Sequence, residues 1–189
     1  MSTLTCFRDL VLGLSVALVS CGKPAIVPRA APGVTKLASI TVTSPAFAEG
    51  ARMPVDHTCD GKDLMPEVVL SSPPDKTQSL ILLVEDPDAP SGTFTHMIAF
   101  NLSPDLRKLP AGESLAAGGE AARFGLNDFQ SVRYSGPCPP KGEVHRYRFH
   151  IVALDTKIKL PEGAPRGQVD EAMDGHILGE GILTGNFGH

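Results

Sequence analysis

The stretch Ser79-Leu80-Ile81-Leu82-Leu83-Val84, followed closely by Asp86-Pro87-Asp88-Ala89-Pro90, constrains this chain most. Five apolar residues in succession leave no side for water, and so short a run ending in Asp and Pro reads as a strand buried on both faces that closes in a turn. Met97-Ile98-Ala99-Phe100 is a second such run, ended by residues 101–104. From His145 the pattern changes to alternation: Tyr147, Phe149, Ile151 and Ala153 fall on one face, and Arg146, Arg148, His150 and Val152 on the other. That is the period of a half-buried strand. Residues 40–43, 67–70 and 182–187 are shorter candidates. One helix is predicted over 168–180, where Val169, Ala172, Met173, His176 and Ile177 share a face, although Gly175 and Gly179 interrupt it. With 19 glycines and 17 prolines and no repeating period, the chain reads as a loop-rich, mainly β domain.

The N-terminus carries a different signal. Residues 10–19 read Leu-Val-Leu-Gly-Leu-Ser-Val-Ala-Leu-Val after Arg8, an apolar core too short to cross a bilayer of about 30 Å but fit for an export signal. Leu18-Val19-Ser20-Cys21 resembles the bacterial lipobox, which implies cleavage before Cys21 and lipidation of that cysteine. The alternative is an ordinary secretory signal, or a buried helix with an incidental cysteine. The expected organisation is a signal peptide over 1–20, a lipidated Cys21 with a flexible Pro- and Ala-rich tether over 21–37, and one domain over 38–189. Such a protein would be anchored to a membrane of a bacterial envelope and face the periplasm or the exterior. Processing would remove Cys6 and commit Cys21, leaving Cys59 and Cys138. In an oxidising compartment these two can close one disulfide; the alternative is two separate buried thiols.

Seventeen Lys and Arg stand against 21 Asp and Glu, a formal net charge of −4, and no local basic patch offsets it. Nucleic acid is therefore excluded as an expected partner. Asp56-x-Thr58-x-Asp60-Gly61-x5-Glu67 nearly fits a calcium-binding EF-hand loop, but Pro54 and Pro66 bracket it and a strand pattern follows where a helix is required, so it reads as a plain loop. Asp86, Asp88, His96 and His145 are ligand types without ligand spacing, so no metal and no cofactor are expected.

The alternation from His145 places that ring and Tyr147 at the head of the apolar face. Either they are satisfied within the core or they line the end of a pocket. Gly136-Pro137-Cys138-Pro139-Pro140-Lys141-Gly142 can be neither helix nor central strand, and three prolines in four positions make it a stiff, preshaped wall or simply a stiff surface loop.

Taken together, Asp86-Pro87-Asp88-Ala89-Pro90, Thr95-His96, the proline-rich wall and His145-Arg146-Tyr147 resemble the phosphatidylethanolamine-binding protein family, in the bacterial branch related to Raf kinase inhibitor protein. Thr58-Cys59-Asp60-Gly61, Asn127-Asp128-Phe129 and Gly175-His176-Ile177-Leu178 are similar to that branch as well. The resemblance runs from about residue 38 to the C-terminus. It implies a β-sandwich of two antiparallel sheets with a few short helices and, at one end, a small cavity for phosphate-like anions. The implied lining is Asp86, Asp88, Ala89, Pro90, His96, Gly136, Pro137, Pro139, Pro140, His145 and Tyr147. In this reading His96, His145 and Tyr147 donate to the anion, while Asp86 orients one imidazole. Departures fall on aromatic packing: Met97 stands where the family has an aromatic, Met65-Pro66-Glu67-Val68-Val69-Leu70 replaces its Ser-Pro-Pro-x-x-x-Trp stretch, and Trp is absent.

The expected function is a binding module without turnover. It would hold a phosphate-like anion or phospholipid head group in a preformed cavity and modulate a protein partner of unknown identity. The alternatives are an inhibitor of a peptidase or kinase-type enzyme, or a hydrolase using an Asp/His pair. No Ser or Cys lies in a nucleophile-elbow context.

Overall fold

The computed structural model describes residues 29–34, 36–112 and 116–189. The segment expected to be an export signal, Cys21 and the first part of the expected tether lie outside the described residues. Among the described residues there are nine strands: β1 (Ala38–Ser39), β2 (Val42–Thr43), β3 (Val68–Leu70), β4 (Ser79–Asp86), β5 (Phe94–Leu102), β6 (Lys108–Leu109), β7 (Arg123–Phe124), β8 (Val144–Leu154) and β9 (Ile177–Gly188). One α-helix, α1 (Arg166–Met173), precedes β9. A six-stranded sheet runs in the order β1-β9-β8-β4-β5-β7, and a three-stranded sheet in the order β2-β3-β6. Neighbours are antiparallel except at the edge, where β1 lies parallel to β9.

The double burial expected of the 79–84 run follows from β4 standing between β8 and β5 near the middle of the large sheet. Leu80, Leu82 and Val84 enter the core between the two sheets with Val68, Leu70, Phe149, Ile151 and Leu183. Ile81 and Leu83 enter a second core with Ile98, Phe100, Val152, Leu154, Val169 and Met173, which α1 covers. At roughly 1.5–3 kcal/mol for each fully buried aliphatic side chain, both layers contribute strongly to stability. The alternation from His145 is observed along β8, where Tyr147, Phe149, Ile151 and Ala153 are fully buried toward the inter-sheet core and Arg146 is exposed.

Two expectations are corrected. The helix over 168–180 is shorter and shifted: it ends at Met173, and Ile177 already begins β9. Gly175 supplies the reason, since it adopts φ +79 just past the C-cap and reverses the chain at a conformation that glycine tolerates best. The tether over 21–37 is not free in its described part. Ala30 bridges Ile177, the N–H of Ala31 donates to the Ile177 carbonyl at 2.9 Å, and Ala31 is buried. A small residue on an open strand edge can dock by backbone pairing alone, without a periodic apolar pattern. The near-EF-hand segment is a loop, as expected, with a short 3-10 turn at Val55–His57 and Lys62 paired to Asp56 at 2.8 Å. Among the described residues no helix is long and apolar enough to cross a membrane.

Candidate ligand-binding cavity

At the end of the sandwich where β4, β5 and β8 meet, Asp86, Ala89, Pro90, Phe94, His96, Phe129, Cys138, Pro139, Pro140, His145 and Tyr147 enclose a cavity of about 150 Å³. Register explains the floor. Val84 faces Met97, Glu85 faces Thr95 and Asp86 faces Phe94, which leaves His96 as an extra residue on β5. This is a β-bulge, a device that re-aims a side chain. Strict alternation would send His96 with Ile98 and Phe100 to the outer core. The bulge instead brings its ring to the inner face, 5.2 Å from Tyr147 in a nearly perpendicular contact.

The walls are loops tied by specific bonds. Cys59 and Cys138 form the disulfide, with Cα atoms 5.4 Å apart, and join the 55–61 turn to the proline wall. The N–H of Cys59 donates to the Pro137 carbonyl, the N–H of Gly136 to Asp63 at 2.5 Å, and the Tyr134 hydroxyl to the His57 carbonyl at 2.8 Å. Asn127 fixes the third wall by donating to the carbonyls of His96 and Arg133, both at 3.0 Å, while Asp128 accepts from the Thr95 N–H at 2.6 Å. Phe129 is thereby set edge-on to both Phe94 and His96.

Eight of the eleven expected residues line the cavity: Asp86, Ala89, Pro90, His96, Pro139, Pro140, His145 and Tyr147. Asp88, Gly136 and Pro137 do not. The Asp88 carboxylate is drawn outward by Arg146, accepting from its Nη2 at 2.5 Å, its Nε at 2.8 Å and its backbone N–H at 2.9 Å, and this pairing holds its pKa far below the usual carboxylate range. Gly136 and Pro137 support the wall from behind. Three lining residues were missed. Phe94 could have been found two positions before His96, Phe129 within the Asn-Asp-Phe motif, and Cys138 between the wall prolines. The two phenylalanines supply aromatic cover where Met97, buried in the inter-sheet core, does not.

The electrostatics divide the two histidines. His145 Nδ1 lies 2.7 Å from Asp86 Oδ2 and its Nε2 3.0 Å from Glu143 Oε2. Burial opposes protonation of this ring, but Glu143 and Asp86 outweigh burial and the pKa is raised. Both nitrogens of His145 are thus occupied by carboxylate partners. His96 donates from Nδ1 to the Ser135 carbonyl at 2.6 Å. Burial is the largest influence and lowers the His96 pKa, against the opposing effects of the Ser135 carbonyl, Asp86, the Gly136 backbone and Asp128. The neutral ring therefore carries its proton on Nδ1 and a lone pair on Nε2. The Tyr147 hydroxyl is buried without a hydrogen-bond partner among the described residues, and burial together with Asp86 and Asp88 pushes its pKa up, so it keeps its proton. Among the described residues, the one metal-like group of three donors is Cys59, Cys138 and His189, and its two sulfurs are joined in the disulfide.

Comparison with protein families matches residues 43–188 to the phosphatidylethanolamine-binding proteins. The chain belongs to the phosphatidylethanolamine-binding protein family. A UPF0098 protein of Pyrococcus horikoshii is 40% identical over 155 residues, covering 79% of this chain and 76% of that protein. A UPF0098 protein of Chlamydia trachomatis is 38% identical over 151 residues, covering 77% and 97%. Among solved structures, a putative phosphatidylethanolamine-binding protein homologue from Chlamydia trachomatis superimposes with a TM-score of 0.74 at 36% identity, covering 80% of this chain and 98% of that one. E. coli YbcL, a new member of the mammalian PEBP family, also gives 0.74 at 27% identity, covering 80% and 99%. Within the phosphatidylethanolamine-binding protein family, this chain's Asp86, His96, His145 and Tyr147 come from the motifs that carried the sequence resemblance, and membership supports a ligand-binding module.

Proposed function

We propose that the chain is an exported binding module, anchored through a lipid on Cys21, that holds a small phosphate-like anion or phospholipid head group in this cavity without turnover. The observation that carries the reading is the Tyr147 hydroxyl. A buried phenol with no partner costs about 1–3 kcal/mol, and a ligand oxygen in the cavity would recover that loss. The proline wall and the disulfide keep the cavity preformed, so little ordering entropy opposes binding. Modulation of an envelope protein partner is the biological role that accompanies this module.

A hydrolase reading has the Asp86–His145 pair in its favour. Against it, Glu143 occupies the nitrogen that a general base would turn toward a nucleophile. The test is calorimetric titration of phosphoethanolamine into the wild type and Tyr147→Phe. The expected result is binding that weakens about tenfold in the variant, as loss of one hydrogen bond predicts. Equal affinities would remove Tyr147, and with it the cavity, from the reading.

A further inference from the structure

The hydrogen-bonding inventory of the cavity contradicts the simple picture of two histidines donating to an anion. Both ring nitrogens of His145 face carboxylates rather than the ligand space, and His96 gives its Nδ1–H to the Ser135 carbonyl. The Tyr147 hydroxyl is one free donor. The other free polar atom of the rings is His96 Nε2, which is a lone pair.

The charges around His96 come from every side. From β4 there is Asp86, which also accepts the Asp88 N–H at 2.8 Å. From β8 there are the His145 ring and Tyr147. From the loop after β7 there is Asp128, bonded to the Thr95 N–H. Beyond His145 stands Glu143, whose side chain is 54% exposed, while Asp88 and Arg146 neutralise each other. In the proline wall Cys138 is in the disulfide, and the one titratable group is Lys141, exposed at its far end. Three carboxylates, Asp86, Glu143 and Asp128, stand against Lys141 and the His145 ring, so a fully deprotonated phosphoryl group would meet a lone pair and a surplus of carboxylates.

Building on the reading of the cavity as a phosphate-type site, we propose that it binds a phosphoryl group together with one proton, held between His96 Nε2 and a ligand oxygen. The bookkeeping is one proton taken from solvent and no covalent bond made or broken. Whether the proton is assigned to the ring or to the ligand, the result is one N–H–O bridge beside the Tyr147 O–H. The Nδ1–H bond to Ser135 makes this possible, since it fixes the tautomer that leaves Nε2 without a proton. Phosphomonoesters lose their second proton near pH 6, so in mildly alkaline solution both free partners are deprotonated and the bound proton must be acquired on binding.

The experiment is calorimetry on the full domain at about pH 8 in two buffers of different ionisation enthalpy, with inorganic phosphate, phosphoethanolamine and glycerophosphoethanolamine as separate probes. The probe that binds identifies free phosphate, a monoester or a lipid head group as the source. The expected result is uptake of close to one proton per ligand, and affinity that falls about tenfold per pH unit above neutrality. The nitrogen-15 resonance of His96 Nε2 is expected to move from the lone-pair to the protonated range on saturation, a signal that protonation at His145 would not produce. His96→Phe keeps a ring against Phe94, Phe129 and Tyr147 and is expected to abolish the uptake. Should that variant not fold, the wild-type resonance decides. Binding without proton uptake, or uptake with His96 Nε2 unchanged, overturns the inference and leaves the cavity as a ligand site. No binding of any probe from about pH 5 to 8 overturns the inference together with the reading beneath it.

Discussion

His145 Nδ1 and Asp86 Oδ2 stand 2.7 Å apart although their residues are 59 positions apart in sequence, because β4 and β8 are neighbours and present both side chains to the inter-sheet face. Glu143 holds the other ring nitrogen at 3.0 Å. The two carboxylates are not equal: the Asp86 side chain is 6% exposed and that of Glu143 54%. Water screens the second far more than the first.

This arrangement sets a pH dependence of known sign. The His145 pKa is raised in the folded state, so its contribution to stability is complete below the unfolded value near 6.5 and is lost as pH rises through the folded value. His96 acts the other way: its pKa is lowered, so its environment disfavours the folded state as pH falls through the ordinary histidine range. Side-chain NMR titration should place His145 above and His96 below about 6.5, and Asp86→Asn should lower the His145 value more than Glu143→Gln does. Equal effects of the two variants would show that burial does not separate the carboxylates.

The Cys59–Cys138 bridge closes a loop with a sequence separation of 79. Removing it with Cys59→Ser/Cys138→Ser should cost about 2–5 kcal/mol in denaturant unfolding. The unreduced, unfolded domain should give no reaction of these two thiols in a free-thiol titration. Two reactive thiols would show that the bridge does not form in solution.

Gly136 is needed for space rather than for turning. A Cβ there would lie 2.5 Å from the His57 carbonyl oxygen, 2.7 Å from Asp63 Oδ1 and 2.9 Å from Thr58 Cα. Two of these three are backbone atoms with no rotamer to yield. Gly136→Ala should therefore destabilise the domain by about 1–3 kcal/mol and shift the proline wall, seen as weaker ligand binding and as chemical-shift changes at Cys138 to Pro140. A variant as stable as the wild type would mean that the 55–61 turn moves freely.

Anchoring is tested at Cys21. With a lipid on this residue, Cys21→Ser should move the protein from the membrane fraction to the soluble exported fraction, and mass spectrometry of the wild type should find Cys21 as an acylated N-terminus. A wild type already soluble and beginning elsewhere would rule out the lipobox reading.

Local pattern alone determined the parts of this protein whose cause is local. The run from Leu80 to Val84 had to be covered on both sides, and the alternation from His145 had to put Tyr147, Phe149 and Ile151 on one face, because side-chain direction along a strand follows from the backbone. The prolines at 137, 139 and 140 had to make a stiff segment because each locks its φ, although only the fold made that segment a wall of the cavity. Other features depend on what lies across from a residue. His96 reaches the cavity through a bulge that exists only in the register of β5 against β4. Asp88 leaves the cavity because Arg146, 58 positions away in sequence, meets it on the outside. Phe129 becomes a wall because Asn127 is held by the carbonyls of His96 and Arg133. The protonation of the two histidines was equally hidden. His145 meets two carboxylates and His96 meets a carbonyl, and only the folded arrangement decides which partner stands within hydrogen-bond reach of which nitrogen.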